Sequence, residues 1–346
     1  MKTRVVTISS KKPHKTKIQE CASILRKGGL VAFPTETVYG LGADGLNPNA
    51  IKKIFRVKKR PSDNPLIFHI SDKNDIQKFA KNIPPKTELL IEKFWPGPLT
   101  LILRKSSIIP KIATGGLNTI AIRMPSHKIA LSLISSLKSP IVAPSANLFG
   151  KPSPTLAQHV LDDLNGKINT IIDGGNTKIG IESTVLDLTT RTPTLLRPGS
   201  ISYSELKKIL KKIEYHPSLL GKKSKKNVVK SPGMKYKHYS PNAKIILILG
   251  NLQNSQKKTQ ELIKKFQSEK KIIGLINNKG RRKNLFIKSK FIGTTKKLIA
   301  SNLYKTFREF DKEKVDIIIV QEIDNSNLGF AIMNRVRKAA SEIITV

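Results

Sequence analysis

Cysteine is almost missing from the sequence, and long apolar runs are missing altogether. Cys21 is the single cysteine among 346 residues, so an internal disulfide and a cysteine-based zinc site are excluded. The longest apolar runs, IILIL and IIIV, fall far short of the roughly 18 residues that span a bilayer, and the opening MKTRVVTISSKKPHK lacks the apolar segment of a signal peptide. We therefore expect no membrane helix and a cytoplasmic protein.

Acidic and aromatic residues are also scarce. The 63 Lys and Arg stand against 24 Asp and Glu, which gives a formal net charge of +39. A nucleic-acid binder concentrates such charge on one face beside aromatic side chains, whereas here aromatics are 5% of the chain and lysine is spread along it. A general lysine bias explains the excess slightly better than a function does. The densest run, 207–237, holds eleven lysines and one acid, Glu214, and suits a solvated linker as well as an RNA contact.

Several catalytic motifs are absent. There is no C-x-x-C, H-E-x-x-H or carboxylate cluster, so we predict no metal site made by protein side chains. There is no G-x-x-x-x-G-K-[ST] loop, and Ser145 lies in no G-x-S-x-G elbow, which excludes a phosphate-loop enzyme and a serine nucleophile. What remains is a pocket that positions anionic substrates, which supply their own nucleophile and leaving group, as in phosphoryl and nucleotidyl transfer.

Two α/β patterns follow one another along the chain. In the first, apolar runs predict strands and helical spacing predicts helices: strands at 30–33, 65–70, 99–103, 119–123, 140–144 and 170–175, and helices at 18–26, 50–57, 87–93 and 128–138. In the second, strands at 244–250, 271–277 and 315–323 alternate with helices at 256–268, 296–310 and 331–344. Such alternation predicts a parallel, doubly wound sheet.

Cations and hydroxyls lie in rigid loops next to these strands. FPTETVYGLGAD (33–44) places Thr35 and Thr37 where a strand is predicted to turn toward a helix, and such hydroxyls suit a carboxylate or phosphate, although helix capping explains one of them. RVKKRPSDNPLIFH (56–69) runs four cations into a proline-rich turn, which can hold a polyphosphate or simply end a helix. His69 lies in an apolar run, where a buried core histidine is the commoner explanation.

Arginines and glycines complete the candidate loops. In TIAIRMPSH (119–127), Arg123 ends a strand-like run, where bidentate carboxylate recognition is its best use. APSANLFGKPSPT (143–155) is rich in hydroxyls and amides, and DGGNTKIGIESTVLD (173–187) has two glycines that permit close backbone approach to a ligand. LRPG (196–199) adds Arg197. Each segment alone is a weak signal.

In this order and spacing, and with FWPGPLT (94–100), the motifs resemble the YrdC family. SPGMKYKHYSP (231–241) and NLGFAIMNRVRKAA (327–340) are similar to the longer members, the threonylcarbamoyl-AMP synthases with an added Rossmann-like domain. The resemblance covers about 18–202 and 231–346. It implies a YrdC-like catalytic domain with a twisted mixed sheet over 1–203, a basic linker over 204–243, and a smaller Rossmann-like parallel-sheet domain over 244–346.

The resemblance also implies a reaction and a set of ligand contacts. L-Threonine, bicarbonate or CO2, and ATP would give threonylcarbamoyl-AMP and pyrophosphate, with Mg²⁺ carried by the triphosphate and other enzymes transferring the group to tRNA. The residues implied for threonine are Thr37, His69, Arg123, the Ala143 backbone and Ser183. Those implied for ATP are Lys58, Arg60, Asn64, Thr119, Ser145, Asn147, Ser153 and Arg197.

Two departures and one segment add further expectations. Lys59 replaces a glycine of the family's usual A-K-G-R, which questions the local turn, and Phe149 replaces a serine, which removes one possible hydrogen bond near the nucleotide. The stiff, aromatic composition of 231–241 predicts a lid over the pocket, with the hydroxyl of Tyr236 or Tyr239 on the nucleotide and water excluded from a reactive product.

Two other functions stay open at the level of sequence. An RNA-binding module of the same fold could use the basic surface and make a weak tRNA contact; its affinity would fall steeply with salt, whereas threonine-dependent ATP turnover would not. A carbamoyl-transfer enzyme of the hydrogenase-maturation type is the third possibility, although the acylphosphatase-like and zinc-finger modules of those chains are not found in this sequence.

Overall fold

The computed structural model describes residues 2–221, 238–277, 283–284 and 287–346. They form two compact units: one comprises the described residues up to Phe149 and from Ser153 to Gly221, and the other comprises Gly150–Pro152 and the described residues from His238 onward. Within these ranges no helix combines the length and the apolar character that crossing a bilayer requires.

The first unit is built on a mixed sheet. Its strands are β1 (Arg4–Thr7), β2 (Val31–Phe33), β3 (Gly40–Asp44), β4 (Ile67–His69), β5 (Ala80–Lys81), β6 (Leu99–Lys105), β7 (Thr119–Arg123), β8 (Ile141–Val142), β9 (Thr170–Asp173), β10 (Thr184–Asp187), β11 (Thr194–Arg197) and β12 (Glu214–Tyr215). They lie in the order β1-β9-β2-β3-β8-β4-β7-β6-β10-β11-β12, with β5 beside β6. All six strands predicted for this half are present.

The helices of the first unit bury one apolar face each. They are α1 (Lys15–Arg26), α2 (Pro48–Lys58), α3 (Ile76–Phe79), α4 (Lys86–Phe94), α5 (Lys128–Leu137), α6 (Ala157–Leu164) and α7 (Tyr203–Leu210), with 3-10 turns at Lys73–Asp75, Lys111–Thr114 and Pro217–Leu220. In α1 the buried residues Ile18, Cys21, Ala22 and Leu25 follow the spacing of one helical face. The four helices predicted here are confirmed within a few residues.

The centre of this sheet brings distant loops together. β4 lies between β8 and β7, antiparallel to β8 and parallel to β7, with His69 opposite Ile141 on one side and opposite Arg123 on the other. Two candidate residues that are far apart in sequence therefore end neighbouring strands. One expectation is wrong: Thr35 and Thr37 lie between the paired antiparallel strands β2 and β3, not between a strand and a helix.

The predicted linker begins with ordered structure. Helix α7 starts with a capping box formed by Ser202 and Glu205, Leu206 is fully buried in the core of the first unit, and β12 pairs with β11. Residues 222–237 lie outside the described residues, so Tyr236 and most of the predicted lid are outside them as well. Whether 231–241 covers the pocket stays a prediction.

The second unit is a parallel sheet with one short antiparallel edge. Its strands are β13 (Lys244–Leu249), β14 (Ile273–Asn277), β15 (Lys283–Asn284), β16 (Ile287–Phe291), β17 (Ile317–Gln321) and β18 (Glu342–Thr345), and its helices are α8 (Leu252–Ser268), α9 (Lys296–Lys312) and α10 (Leu328–Ala339). The strand order is β15-β16-β14-β17-β13-β18, and only β15 runs antiparallel to its neighbour among the described pairs. The predicted fold class is confirmed.

The C-terminal end differs from the sequence-based expectation. The helix predicted over 331–344 ends at Ala339, and β18 continues the sheet with Ile343 opposite Leu247. The β-branched residues Ile343, Ile344 and Thr345 favour this extended conformation, and pairing with β13 supplies the hydrogen bonds. The predicted helix is too long at its C-terminal end, because a short apolar run such as 342–345 fits a helix and a strand equally well.

Tyr239 and the tripeptide Gly150–Pro152 are part of this second unit. The Tyr239 ring is buried and stacks on Tyr304 with centroids 5.5 Å apart. Arg308 Nη2 donates to the Pro152 carbonyl at 2.6 Å, and the Ser240 amide donates to the Gly150 carbonyl at 2.8 Å. The predicted contact between the Tyr239 hydroxyl and a nucleotide stays a prediction.

Candidate substrate site

An ion pair that is almost completely buried lies at the carboxyl ends of β4 and β7. Arg123 Nη2 lies 2.6 Å from Glu36 Oε1, and the two side chains are 4% and 7% exposed. Arg123 Nη1 donates to Thr37 Oγ1 at 3.0 Å, and its Nε donates to the Gly97 carbonyl at 3.3 Å. Ser126 N donates to Glu36 Oε2 at 3.2 Å. The structure therefore joins the predicted residues Thr37 and Arg123 and adds a carboxylate to them.

A second polar cluster lies at the same end of the sheet. Ser183 Oγ is 2.7 Å from Thr100 Oγ1 and accepts from Arg197 Nη2 at 3.0 Å, while Arg197 Nε donates to the Ser183 carbonyl at 3.0 Å. Thr184 pairs with Leu99 and Leu101 pairs with Ile122, so these contacts lie near the level at which Arg123 ends β7. Arg197, implied for ATP, contacts Ser183, which is implied for threonine.

His69 completes this end as an uncharged ring. Burial, and to a lesser extent the positive charge of Arg123, lowers the pKa of His69 to about 3. The ring also packs edge-on against Phe33, with centroids 6.3 Å apart. At neutral pH this imidazole can offer or accept a hydrogen bond without adding charge to the cluster.

We expect His69 to make the protein less stable in mild acid. The pKa is about 3 in the native state and about 6.5 in the unfolded chain, so only the unfolded chain takes up a proton as pH falls below 6.5. Native stability is then lost steadily, by about 2 kcal/mol at pH 5. Urea unfolding at pH 7 and pH 5 measures this loss. His69→Asn should remove most of it and His14→Asn, at an exposed position, should not; an unchanged pH slope in His69→Asn would refute the assignment.

The opposite end of the same strands carries the cations predicted for ATP. Lys58 is 1% exposed, and its Nζ donates to the carbonyls of Ser145 and Asn147. The Lys58 carbonyl accepts from the Phe149 amide at 3.0 Å. One lysine at the end of α2 thus holds three points of the 145–149 loop. The effect of Phe149 on a nucleotide stays a prediction.

Arg60, Asn64 and Thr119 form the rest of this end. Arg60 Nη2 donates to the carbonyls of Asn64 and Pro65 at 3.2 and 3.1 Å. In the β4–β7 register Ile67 is opposite Ala121, which places Pro65 level with Thr119. Asn64 is 1% exposed, and neither its Oδ1 nor its Nδ2 has a hydrogen-bond partner among the described residues. Because an unsatisfied buried amide is costly, Asn64 marks a position where a polar ligand would supply the missing partners.

Lys59 has the backbone conformation that the glycine of A-K-G-R would favour. It ends α2 with φ 53° and ψ 41°, in the left-handed region. The replacement of glycine by lysine at this position therefore leaves the left-handed turn in place.

We expect Lys59→Gly to stabilise the protein by up to about 1 kcal/mol, because a left-handed conformation strains a residue that has a Cβ. Thermal unfolding measures the change. Lys52→Gly, at an exposed position inside the same helix, should instead destabilise by about 1 kcal/mol. Destabilisation of both variants to the same extent would show that residue 59 carries no strain.

Two buried acids in the site were not singled out from the sequence. One is Glu36, and the other is Glu182, whose Oε1 accepts from Ser153 Oγ at 2.5 Å. Both lie within the hydroxyl-containing motifs 33–44 and 173–187. A single acid among hydroxyl residues can predict a buried carboxylate in a site, since a buried carboxylate needs hydrogen-bond donors around it.

Seven of the candidate residues fall into two groups on β4 and β7, whereas Arg197 and Ser153, both implied for ATP, are bonded to Ser183 and to its neighbour Glu182. Thr37, His69, Arg123 and Ser183 lie near the carboxyl ends of β4 and β7, and Arg60, Asn64 and Thr119 lie near their amino ends. The length of β7 separates Thr119 from Arg123 by about 13 Å along the strand. Ala143 lies between the groups, with its amide bonded to the Ile67 carbonyl at 3.0 Å. In the described parts of the chain no group of three or more His, Cys, Asp or Glu side chains could hold a metal ion.

Comparison with known proteins shows the family to which the chain belongs. The Sua5/YciO/YrdC family model, described as "Telomere recombination", matches residues 23–199, and a model described as the C-terminal domain of threonylcarbamoyl-AMP synthase matches residues 201–341. Threonylcarbamoyl-AMP synthase of Pyrococcus abyssi is 49% identical over 324 residues, which cover 94% of this chain and 94% of that protein. The chain belongs to the Sua5 family of threonylcarbamoyl-AMP synthases.

Other members of the Sua5 family extend the comparison. The Bacillus subtilis threonylcarbamoyl-AMP synthase is 44% identical over 328 residues, covering 93% of this chain and 92% of that protein. The crystal structure of Pyrococcus abyssi Sua5 complexed with L-threonine is 47% identical, with a TM-score of 0.94, and the match covers 99% of this chain and 100% of that chain. The resemblance inferred from the motifs is therefore confirmed.

Proposed function

We propose that this protein synthesises threonylcarbamoyl-AMP from L-threonine, bicarbonate or CO2, and ATP, and releases pyrophosphate. The observation that carries the proposal is the division of one set of strands into two polar ends. An end built around Arg123 and Ser183 suits an amino acid, and an end built around Lys58 and Arg60 suits a nucleotide. The product joins an amino acid to a nucleotide through one carbamate, so it requires two such ends on one scaffold.

The reaction needs placement more than it needs protein nucleophiles. The threonine amine captures CO2, a carbamate oxygen attacks the α-phosphorus of ATP, and pyrophosphate leaves with the electron pair of the broken P–O bond. Both nucleophile and leaving group come from the substrates, so the residues contribute orientation and charge. Fixed cations at Lys58 and Arg60 would stabilise the phosphates, and Asn64 would gain the hydrogen bonds that it lacks within the protein.

Magnesium would enter with ATP. The described residues offer no cluster of three or more acidic, histidine or cysteine side chains to hold it, and Mg²⁺ is commonly held by substrate phosphates together with water. The bound Mg²⁺ would neutralise part of the negative charge of the triphosphate. We further propose that the reaction takes place in the cytoplasm and that other enzymes transfer the threonylcarbamoyl group to tRNA.

Pyrophosphate release tests the proposal. We expect release from ATP with L-threonine and bicarbonate together, and little when either is omitted or when alanine replaces threonine. Equal release without an amino acid would identify a simple pyrophosphohydrolase. Repeating the assay at low and physiological salt, with and without tRNA, separates this enzyme from an RNA-binding module, because phosphate-tracking RNA affinity depends steeply on salt.

A further inference from the structure

The charge of the threonine end is balanced within the protein. Arg123 would be expected to bind a carboxylate, yet it is already paired with Glu36 at 2.6 Å, and both side chains are buried. His69 adds no charge at neutral pH, because burial and the Arg123 cation lower its pKa to about 3. The pair therefore presents one positive and one negative group with no net charge. A site that binds only a carboxylate would have higher affinity with an uncompensated arginine. The carboxylate of Glu36 therefore indicates a ligand that carries a positive group as well.

The hydrogen-bonding capacity of both groups is only partly used. A carboxylate can accept about four hydrogen bonds and a guanidinium can donate five. Among the described residues Glu36 accepts one from Arg123 Nη2 and one from the Ser126 amide. Arg123 donates in addition to Thr37 Oγ1 and to the Gly97 carbonyl. Each partner thus keeps capacity for a ligand while the other partner fixes its orientation.

A free amino acid has the complementary pattern. At neutral pH it carries a carboxylate and an ammonium on one carbon, so a neutral pair of opposite charges matches both groups. We propose that Glu36 is a specificity-determining residue that binds the α-ammonium of the incoming amino acid beside the carboxylate bound by Arg123. The inference rests on the proposed function and goes beyond it, because it assigns to a second residue the discrimination between an amino acid and other small carboxylates.

A Glu36 carboxylate beside the α-ammonium would also select against acids that lack an amine. A hydroxy acid or a keto acid has the carboxylate but lacks the ammonium, so it would leave the Glu36 carboxylate facing a neutral group. Binding it would forfeit one charge-assisted hydrogen bond. Such acids are thereby kept from a site where they could not supply the amine that captures CO2.

A pair of matched ligands tests the proposal. L-Threonine and its analogue 2,3-dihydroxybutanoate of the same configuration differ only by ammonium against hydroxyl at the α-carbon. Calorimetry would measure both affinities for the wild type, for Glu36→Gln and for Glu88→Gln, which alters an exposed acid on α4. We expect Glu36→Gln to weaken threonine by about ten- to a hundredfold while the analogue binds as well as before or better, because Arg123 is no longer neutralised. Glu88→Gln should change neither affinity.

The ratio of the two affinities separates recognition from structural support. If Glu36 only supported Arg123, Glu36→Gln would weaken both ligands by the same factor, and that result would overturn the proposal. Should Glu36→Gln fail to fold, Glu36→Asp keeps the charge and must keep the preference for threonine; loss of that preference would equally overturn it. Failure of the wild type to bind threonine at all would instead refute the proposed function.

Discussion

Lys58→Met should lower kcat/KM for ATP by a hundredfold or more while the fold is retained. The substitution keeps most of the buried aliphatic volume but removes Nζ, which donates to the carbonyls of Ser145 and Asn147. Charge-assisted hydrogen bonds of this kind contribute about 1.5–3 kcal/mol each, and the loop that they hold carries residues predicted to contact ATP. Loss of the cation also removes a charge that would face the phosphates.

A second lysine on the same helix provides the matched control. Lys53 Nζ donates to the Gly28 carbonyl at 2.7 Å, so Lys53→Met removes a comparable hydrogen bond without touching the 145–149 loop. Steady-state kinetics with ATP varied at saturating threonine should show a large effect for Lys58→Met and a small one for Lys53→Met. Similar kcat/KM values in the two variants would mean that Lys58 serves stability alone.

Arg123→Ala should destabilise the protein by about 3–5 kcal/mol and abolish measurable saturation by threonine. Removing one member of a buried ion pair leaves the other as an uncompensated charge, and here the buried carboxylate of Glu36 would lose its main partner. Urea unfolding measures the first effect, and turnover with threonine varied measures the second.

The double variant Arg123→Met with Glu36→Gln separates the two effects. Replacing both charges removes the uncompensated carboxylate, so much of the lost stability should return. Threonine binding should not return, because the group that holds the carboxylate is still missing. Normal threonine saturation in a stable double variant would contradict the role given to Arg123.

Local sequence signals were enough to find the strands that carry the site. The apolar runs 65–70 and 119–123 predict two of these strands, which end at His69 and Arg123 in the structure. Lys59 was recognised as a residue in the place of a glycine, and its φ of 53° agrees. The two apolar runs and the turn at Lys59 depend on residues close together in the chain, which is the range over which periodicity and turn chemistry are informative.

Long-range pairing was the part that the sequence could not supply. The contact between Glu36 and Arg123 joins residues 87 positions apart, and the bond from Arg197 to Ser183 depends on how β10 and β11 pair. Neither follows from spacing along the chain. The hydroxyls of segment 33–44 resemble a helix cap and so predict a strand leading to a helix, whereas the partner strand β3 is recognisable only once the sheet has formed.

Incorporation of labelled bicarbonate into a nucleotide product tests the central claim most directly. The purified protein would be incubated with ATP, magnesium, L-threonine and ¹³C-bicarbonate, and the quenched mixture would be analysed by mass spectrometry. We expect threonylcarbamoyl-AMP that carries the label in its carbamoyl carbon, formed in step with pyrophosphate and missing when threonine is omitted. AMP and pyrophosphate released without any labelled threonine adduct, at times short enough to exclude its hydrolysis, would contradict the account.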